Sequence, residues 1–278
     1  MLNPDRIIEK SIDPFPHIII KDFFDKTFYK KLEEEFPKKS NFAESKNNVG
    51  RMHHDTSFGH ALYQDILDHS NVYNELHNYI YSDVFIKTFL DLFSNEIDYE
   101  IDKNFLKVDV KKLDIDSEPF EVGKIYNKKN FKKNKNSFLF PRLDIGIGEK
   151  GYGIKTGGNG IHVDNPQRLI SILFYAGGYS EMIGGEHRLW KVADEQVQIA
   201  KEIKPHSNLL IASLQNNISY HDVNPVSEII GTRNAFYMAI SCSSPIWKKV
   251  KVNDFNLKHN KNRCKLNFFT RVIKKLFT

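Results

Sequence analysis

Two short segments of the chain place a histidine two residues before an aspartate. One pair is His162 and Asp164, in the segment GGNGIHVDNPQRLISILFYAGG, and the other lies in His53-His54-Asp55. In a strand, residues at this spacing point to the same face, so an imidazole and a carboxylate can hold a metal ion together. Two ligands are too few for a stable site, so a third residue must distinguish the two pairs.

His221, in the segment SYHDVNPV, is the candidate third ligand. It lies on a short predicted strand 59 residues after His162. Two histidines and one carboxylate form the facial triad of non-haem Fe(II) oxygenases, which leaves coordination positions open for a co-substrate and O₂. Zinc also suits these ligands, and a zinc hydrolase would then need a separate glutamate base.

Arg233 is the candidate for binding a carboxylate opposite the metal. It lies 12 residues after His221, at the start of the predicted strand RNAFYMAIS. A buried guanidinium can grip a carboxylate through two parallel hydrogen bonds, as a dicarboxylate co-substrate requires. Tyr175, on the strand that follows the metal pair, can add a hydroxyl to the same carboxylate. This combination favours an iron oxygenase over a zinc hydrolase.

The remaining histidines near these motifs are interpreted as structural. Residues 53 to 55 are followed by no apolar strand, so we predict a polar loop, with a role at a substrate entrance as the alternative. His187 follows the Gly-Gly-Glu segment at 184 to 186, which predicts a tight connection between strands with Glu186 exposed or hydrogen-bonded. We therefore do not predict His187 as a ligand.

The elements that must position these residues change character along the chain. Apolar residues recur at helical spacing up to about residue 96, and Asp25, Ser70 and Ser82 are predicted helix N-caps. From residue 138 the apolar period becomes two, in short segments separated by Gly, Asn and Pro. The pattern predicts a helical layer that supports a C-terminal antiparallel β core.

As a set, the motifs resemble the prolyl 4-hydroxylase-type Fe(II)/2-oxoglutarate dioxygenases, in particular their microbial branch. The resemblance rests on H-V-D-N-P followed by R-L-I-S-I-L-F-Y, on G-G-E, on H-x-V-x-P-V and on Arg233. The opening PFPHIIIKDFFDKTFYKKLEEEFP is similar to the N-terminal strand and helix of that branch. The matching segments cover residues 14 to 37 and 138 to 242.

The resemblance implies a mainly β fold with N-terminal helices (α+β), whose core is a double-stranded β-helix, the cupin-like jelly roll. It implies that His162, Asp164 and His221 bind iron, and that Arg233, assisted by Tyr175, binds the distal carboxylate of 2-oxoglutarate. The strand PRLDIGIG offers no tyrosine for the inner carboxylate.

The implied activity is hydroxylation of a C–H bond, coupled to oxidative decarboxylation of 2-oxoglutarate to succinate and CO₂. Fe(II), 2-oxoglutarate and O₂ are the expected cofactors, with ascorbate as an accessory reductant. Since Asp164 occupies the position left open to halide in the family's halogenases, hydroxylation is favoured over halogenation.

The expected organisation is one dioxygenase domain over residues 1–250, followed by a basic amphipathic tail at 251–278. Within the domain we expect helical support at 1–100, a Lys/Asn-rich insertion at about 101–137 and the jelly-roll core at 138–245. In the tail, Leu266, Phe269, Ile273 and Leu276 form an apolar stripe flanked by basic residues. Such a helix packs on the protein's own body or contacts an anionic membrane surface or a protein partner.

Charge is unevenly distributed along the chain. The net charge is +5, but residues 248 to 278 carry ten Lys/Arg against one Asp, and residues 124 to 137 carry six Lys and no acid. Basic and aromatic residues do not interleave on any predicted strand, so we expect no specific nucleic-acid partner.

The expected cellular compartment is inferred from the few cysteines and from the lack of targeting signals in the sequence. Cys242 and Cys264 are too few for a disulfide framework, which predicts a reducing environment. No signal-peptide pattern or membrane-spanning apolar run is visible, so we expect a soluble, cytoplasmic protein.

The alternative from another functional class is a non-catalytic jelly-roll module that binds a ligand such as a sugar. The motifs lie in the predicted core and carry no signal for the hydroxylation substrate. A prolyl residue, another amino-acid side chain, a sugar and a lipid-linked intermediate are all compatible with them.

Overall fold

The structure is a computed structural model, and it describes residues 4–44, 50–55, 61–117, 136–153, 160–193 and 196–248. Most of the predicted Lys/Asn-rich insertion and the whole predicted C-terminal tail lie outside these residues, so their roles stay predictions.

The described residues form helices in the first half of the chain and strands mainly in the second half. The helices are α1 (Lys26–Glu34), α2 (Ala61–His69), α3 (Asn71–Ile80), α4 (Asp83–Leu92) and α5 (Ser94–Asp102). The strands before the core are β1 (Ile7–Ser11), β2 (His17–Ile20), β3 (Ala43–Glu44), β4 (Arg51–Asp55) and β5 (Asp114–Ile115). The core strands are β6 (Phe138–Gly148), β7 (Arg168–Ile183), β8 (His187–Ala193), β9 (Gln196–Ile203), β10 (Leu209–Leu214), β11 (His221–Val223) and β12 (Glu228–Cys242).

The three predicted helix caps are confirmed. Asp25 accepts a hydrogen bond from the backbone N–H of Phe28 at the start of α1. Ser70 and Ser82 cap α3 and α4 in the same way, through their hydroxyl oxygens. Each cap satisfies a backbone donor that the first helical turn leaves unpaired, which fixes where the helices begin.

The strands assemble into two sheets. The large sheet has the order β1-β2-β10-β7-β12-β6-β4-β3, with β5 parallel to β6, and the small sheet has the order β11-β8-β9. His162 forms an isolated antiparallel bridge with His221 and so extends the small sheet by one segment. Every described pairing between the core strands is antiparallel.

The order in which the core segments visit the two sheets defines the architecture. Starting at β6, the chain runs through the large sheet, the small sheet at His162, the large sheet at β7, and the small sheet at β8 and β9. It then alternates large, small and large through β10, β11 and β12. This winding is the double-stranded β-helix, or jelly roll, so the predicted fold class is confirmed.

The central strand β7 has two buried faces along its first half, in keeping with its continuous apolar sequence. Phe174 points outward and stacks on Phe236 of β12 with ring centroids 5.5 Å apart, in the cluster that also contains the buried faces of the helices. Leu173 and Tyr175 point inward and belong to a second cluster, which lies between the two sheets. The helices therefore support the large sheet from outside and leave its inner face to the site.

The prediction of a polar loop at residues 53 to 55 was wrong. These residues belong to β4, which pairs with β6 in antiparallel register, His53 opposite Gly146 and Asp55 opposite Asp144. The long strand β6 pairs with β12 along one edge, so its other edge would leave backbone donors and acceptors unpaired without β4. Backbone hydrogen bonding to β6 therefore places residues 53 to 55 in a strand although their local sequence is polar.

The predicted tight connection at residues 184 to 186 is confirmed. Gly184 has φ +87°, and a Cβ at this position would lie 2.1 Å from the carbonyl oxygen of Pro225. Glu186 accepts a hydrogen bond from the Asn224 amide at 2.6 Å. The turn brings the start of β8 against the segment that follows β11. Among the described helices, none is long and apolar enough to cross a membrane.

Candidate metal and carboxylate site

The predicted ligands His162 and His221 are neighbours across the small sheet. Each donates its backbone N–H to the other's carbonyl, at 3.0 Å and 2.9 Å, and their ring centroids lie 4.6 Å apart. The antiparallel bridge thereby presents both imidazoles to the space between the sheets.

Asp164 completes the group that sequence spacing predicted. Its Oδ1 lies 4.0 Å from His162 Nε2, and its Oδ2 lies 3.9 Å from His221 Nε2. One ligand atom from each of the three residues lies within 4.8 Å of the others. Atoms about 2 Å from a common metal are separated by about 3 to 4 Å, so this group could hold one ion with little adjustment.

Both histidines are oriented for binding through Nε2. The Nδ1 of His162 hydrogen-bonds the Gly160 carbonyl at 2.8 Å, and the Nδ1 of His221 hydrogen-bonds the Ser219 carbonyl at 2.9 Å. A carbonyl accepts only, so each Nδ1 carries the proton and each Nε2 is the unprotonated nitrogen that can bind a metal. Such outer contacts fix ring tautomers at metal sites.

The carboxylate of Asp164 is held in the ionised form. Burial acts to raise its pKa, but the nearby guanidinium of Arg168, the two histidines and the Ser171 hydroxyl together hold the pKa of Asp164 well below its usual value. Ser171 donates a short hydrogen bond to Oδ2, and Arg168 donates to the same oxygen at 3.4 Å. An anionic carboxylate is the form that binds a metal.

Arg233 is fully buried on the inner face of the large sheet. Its Nη1 donates to the Tyr237 hydroxyl at 3.1 Å, while its Nε and Nη2 are buried without a hydrogen-bond partner. No ion pair among the described residues involves this guanidinium, although it is always charged. A buried charge without a counter-ion is costly, and an anion bound beside Arg233 would remove that cost.

Tyrosines surround this guanidinium. It lies 4.7 Å from the ring centroids of both Tyr152 and Tyr175. The buried Tyr175 hydroxyl lies beside the Arg233 guanidinium without a hydrogen bond of regular geometry, and burial raises the pKa of Tyr175 to about 12 although its interaction with Arg233 acts to lower it. The phenol therefore stays protonated and can donate to the same anion as Arg233. Sequence reasoning missed Tyr152, which approaches from the turn after β6.

A cavity of about 300 Å³ lies beside the triad; Arg233 and Tyr175 do not line it, but Tyr152 and Tyr237, which both contact Arg233, do. Its lining includes the three predicted ligands together with Tyr152, His187 and Tyr237. Apolar side chains such as Leu173 and Ile211 cover its inner wall. His162 is the most exposed of the triad, with 37% of its side chain accessible, so the cavity opens beside it.

His187 belongs to this cavity, contrary to the interpretation that it has only a structural place in a turn. It is 9% exposed, and its ring centroid lies 5.6 Å from that of His221. Burial lowers the pKa of His187 well below its usual value, and the charge of Arg233 acts in the same direction. Only the pairing of β8 with β11 brings it here, and no local spacing signals that pairing.

A buried ion pair secures the strand that carries His221. Asp222 accepts hydrogen bonds from Arg188 Nε at 2.8 Å and from the Trp190 indole N–H at 2.8 Å. Arg188 also donates through Nη1 to Asn224 at 3.2 Å. These contacts tie β11 to β8 next to His221, and sequence reasoning missed them.

Comparisons with known proteins were made at three levels. No family model and no curated protein matches the sequence. Solved structures do match, among them prolyl 4-hydroxylase from Phytophthora capsici, at 16% identity and TM-score 0.48. That match covers 81% of this chain and 58% of the other, so the chain spans less than two thirds of that relative.

Two further structures match over the same share of this chain. A Trichoplax adhaerens prolyl hydroxylase in complex with a hypoxia inducible factor peptide matches at 12% identity and TM-score 0.44, covering 81% of this chain and 83% of the other. A Pseudomonas putida prolyl-4-hydroxylase matches at 11% identity and TM-score 0.43, covering 81% and 91%. The chain is thus similar to structures of the family that its motifs resemble, and the double-stranded β-helix itself follows from this chain's own strand order.

Proposed function

We propose that this protein is an Fe(II)- and 2-oxoglutarate-dependent dioxygenase that hydroxylates a C–H bond. The observation that carries the proposal is the presence, on the inner faces of one jelly roll, of a His-Asp-His group and a buried arginine without a counter-ion. The first group suits a divalent metal, and the second suits the carboxylate of a dicarboxylic acid.

The donor set fits iron together with 2-oxoglutarate. His162, Asp164 and His221 would hold the metal through two imidazole nitrogens and one carboxylate oxygen. Arg233 Nε and Nη2 and the Tyr175 hydroxyl would bind the distal carboxylate, and these are the atoms that lack partners. A zinc hydrolase would need a glutamate base, and no glutamate of the described residues lines the cavity.

The proposed reaction balances without another reductant. 2-Oxoglutarate, O₂ and R–H give succinate, CO₂ and R–OH: the C1–C2 bond of 2-oxoglutarate breaks, one oxygen atom enters succinate and the other enters the hydroxyl group. Two electrons from the oxo acid and two from the C–H bond reduce O₂. When bound, Fe(II) supplies the redox chemistry that activates O₂.

The chain's own residues position and insulate the reactants. Ser171 and Arg168 orient the Asp164 carboxylate. Leu173, Ile211 and their neighbours exclude water from the inner wall, which strengthens the hold of Arg233 on a carboxylate. The substrate would enter beside the partly exposed His162. A prolyl peptide is the first substrate class to test, because the motifs resemble those of prolyl 4-hydroxylases.

Succinate release tests the proposal without knowledge of the substrate. Such enzymes decarboxylate 2-oxoglutarate slowly even without a substrate, so purified protein with Fe(II), ascorbate and 2-oxoglutarate in air should form succinate. His162→Ala should abolish this release, whereas His206→Ala, at an exposed histidine outside the cavity, should not.

The opposite results are equally informative. The enzyme proposal would be contradicted if the wild type released no succinate with any substrate tested and His162→Ala did not change succinate release. Tight ligand binding without consumption of 2-oxoglutarate would instead favour a non-catalytic jelly-roll binding module.

A further inference from the structure

One buried imidazole in the cavity has no part in the proposed metal triad. The Nδ1 of His187 is buried and has no hydrogen-bond partner among the described residues. Buried polar atoms are nearly always hydrogen-bonded, so an unpartnered one beside a cavity requires an explanation. His187 lines the cavity and is 9% exposed, so its side chain lies against the space that a small ligand would occupy.

Other strand histidines of this protein show the usual arrangement by contrast. The Nδ1 atoms of His17, His162 and His221 each hydrogen-bond the carbonyl oxygen two residues earlier, at 2.9, 2.8 and 2.9 Å. His187 also lies at a strand position yet makes no such bond. Its ring is therefore not held by the local contact that satisfies the other three.

The register of the small sheet places His187 next to the metal triad. His187 pairs with Val223 and Leu189 pairs with His221, so His187 and His221 lie on adjacent strands one residue pair apart along the inner face. Their ring centroids are 5.6 Å apart, so His187 could contact a small molecule bound to a metal at the triad. His187 is not part of the group whose ligand atoms lie within 4.8 Å of one another.

The inner face of β6 leaves the metal-binding end of the co-substrate without a neutral donor. Its inward positions, opposite Ala239, Tyr237 and Ala235, are Arg142, Asp144 and Gly146. Arg142 pairs with Asp144 at 3.2 Å, and a glycine has no side chain to offer. Ser213 and Tyr237 of the large sheet and His187 of the small sheet are neutral groups that line the cavity, and His187 is the one with a buried ring nitrogen that lacks a described partner.

We propose that His187 is a co-substrate-binding residue whose Nδ1–H donates a hydrogen bond to an oxygen at the chelating, 2-oxo acid end of 2-oxoglutarate. The inference rests on the proposed function, because it assumes that a 2-oxo acid binds at the triad. It divides the co-substrate between two recognition sites: Arg233 and Tyr175 bind the distal carboxylate, and His187 binds the end at the metal.

Comparing two ligands distinguishes the contributions of these two recognition sites to binding. 2-Oxoglutarate has both ends, whereas oxalate has only a chelating end. We expect His187→Leu to weaken the binding of both ligands to Mn(II)-loaded protein about 10- to 100-fold, as loss of a hydrogen bond to a charged group implies. Arg233→Gln should weaken 2-oxoglutarate binding and leave oxalate binding unchanged. Anaerobic isothermal titration calorimetry measures both affinities without turnover.

His187→Asn keeps an amide donor near the position of Nδ1 and should recover part of the lost affinity. An asparagine variant no tighter than the leucine variant would assign the loss to packing and overturn the inference. Loss of Mn(II) affinity in both variants would place His187 among the metal ligands, which also overturns it.

The failure of this inference is distinguishable from failure of the proposed function. If His187→Leu binds 2-oxoglutarate and oxalate as tightly as the wild type, only the role of His187 is wrong. If the wild-type protein loaded with Mn(II) binds neither ligand, the proposed function itself is wrong.

Discussion

His162 and His221, 59 residues apart in the chain, are joined by two reciprocal backbone hydrogen bonds of 3.0 and 2.9 Å. The distance between the two imidazoles is therefore set by strand pairing and not by flexible side chains alone. A metal bound by both rings would bridge two segments of the small sheet. Changes that disturb this pairing should alter metal affinity even when no ligand is replaced.

Ser171→Ala should weaken metal binding without removing a ligand. The Ser171 hydroxyl donates to Asp164 Oδ2, and loss of such an outer contact typically lowers metal affinity about 10- to 100-fold. Mn(II) titration followed by electron paramagnetic resonance measures the change. Ser213→Ala is the matched control, because Ser213 lies directly across the sheet from Ser171, lines the same cavity and makes no contact with Asp164. Equal affinities for wild type and Ser171→Ala would contradict this role.

Arg233→Gln should abolish most of the affinity for 2-oxoglutarate. Truncating one partner of a buried, hydrogen-bonded charge pair costs about 2 to 5 kcal/mol, which corresponds to a loss of at least about 30-fold. Thermal stabilisation by 2-oxoglutarate, measured with Mn(II) present, should fall accordingly. Arg142→Gln replaces another cavity arginine, one that pairs with Asp144, and should leave the shift in place. A larger loss of thermal stabilisation for Arg142→Gln than for Arg233→Gln would show that Arg142, and not Arg233, binds the carboxylate.

Asp222→Asn should destabilise the fold and weaken metal binding together. Asp222 is 5% exposed and pairs with Arg188, so the change leaves a mostly buried guanidinium without its counter-ion, at about 3 to 5 kcal/mol. Urea unfolding measures this difference. Lys87→Gln, which breaks an exposed ion pair with Asp83, should change the free energy of unfolding by less than about 1 kcal/mol. Similar effects of the two substitutions would show that the Asp222 network does not secure β11.

Glu100→Gln should stabilise the protein at neutral pH. Burial raises the pKa of Glu100, partly offset by its hydrogen bond from Asn216. A raised carboxyl pKa makes the folded state most stable below the unfolded pKa of about 4.5, and this stability is lost as pH rises through the folded value. Because glutamine does not titrate, the gain in unfolding free energy from Glu100→Gln should shrink as the pH falls through the pKa of folded Glu100 towards the unfolded value. Urea unfolding at several pH values measures it.

Glu75→Gln provides the comparison for this pH dependence. Glu75 lies exposed on α3. Its substitution should give the same difference in unfolding free energy from acid to neutral pH. If the gain in unfolding free energy from Glu100→Gln is the same at acid and neutral pH, ionisation of Glu100 does not destabilise the folded state.

The residues that could be predicted from the sequence are those with local signals. His162 and Asp164 share a strand spacing, and their distant partner His221 was predicted because it lies on a short predicted strand of the β half. The caps at Asp25, Ser70 and Ser82 follow from side-chain chemistry that acts within one helical turn. The jelly roll was predicted through motif resemblance, and its strand order confirms it.

The residues that could not be predicted depend on contacts between distant segments. His187 enters the cavity because β8 pairs with β11, and Tyr152 reaches Arg233 from a turn. Strand β4 forms because the free edge of β6 needs backbone partners, although its own sequence RMHHD lacks an apolar alternation. Pairing of this kind is a tertiary property that overrides local pattern.

The proposed function requires a metal at the triad and a dicarboxylate that reaches Arg233. A crystal structure with Mn(II) and 2-oxoglutarate, grown without O₂, would show both. We expect anomalous density for manganese bound by His162 Nε2, His221 Nε2 and an Asp164 oxygen, with the distal carboxylate of 2-oxoglutarate on Arg233. Manganese bound elsewhere, or 2-oxoglutarate with neither carboxylate on Arg233, would contradict the proposed function.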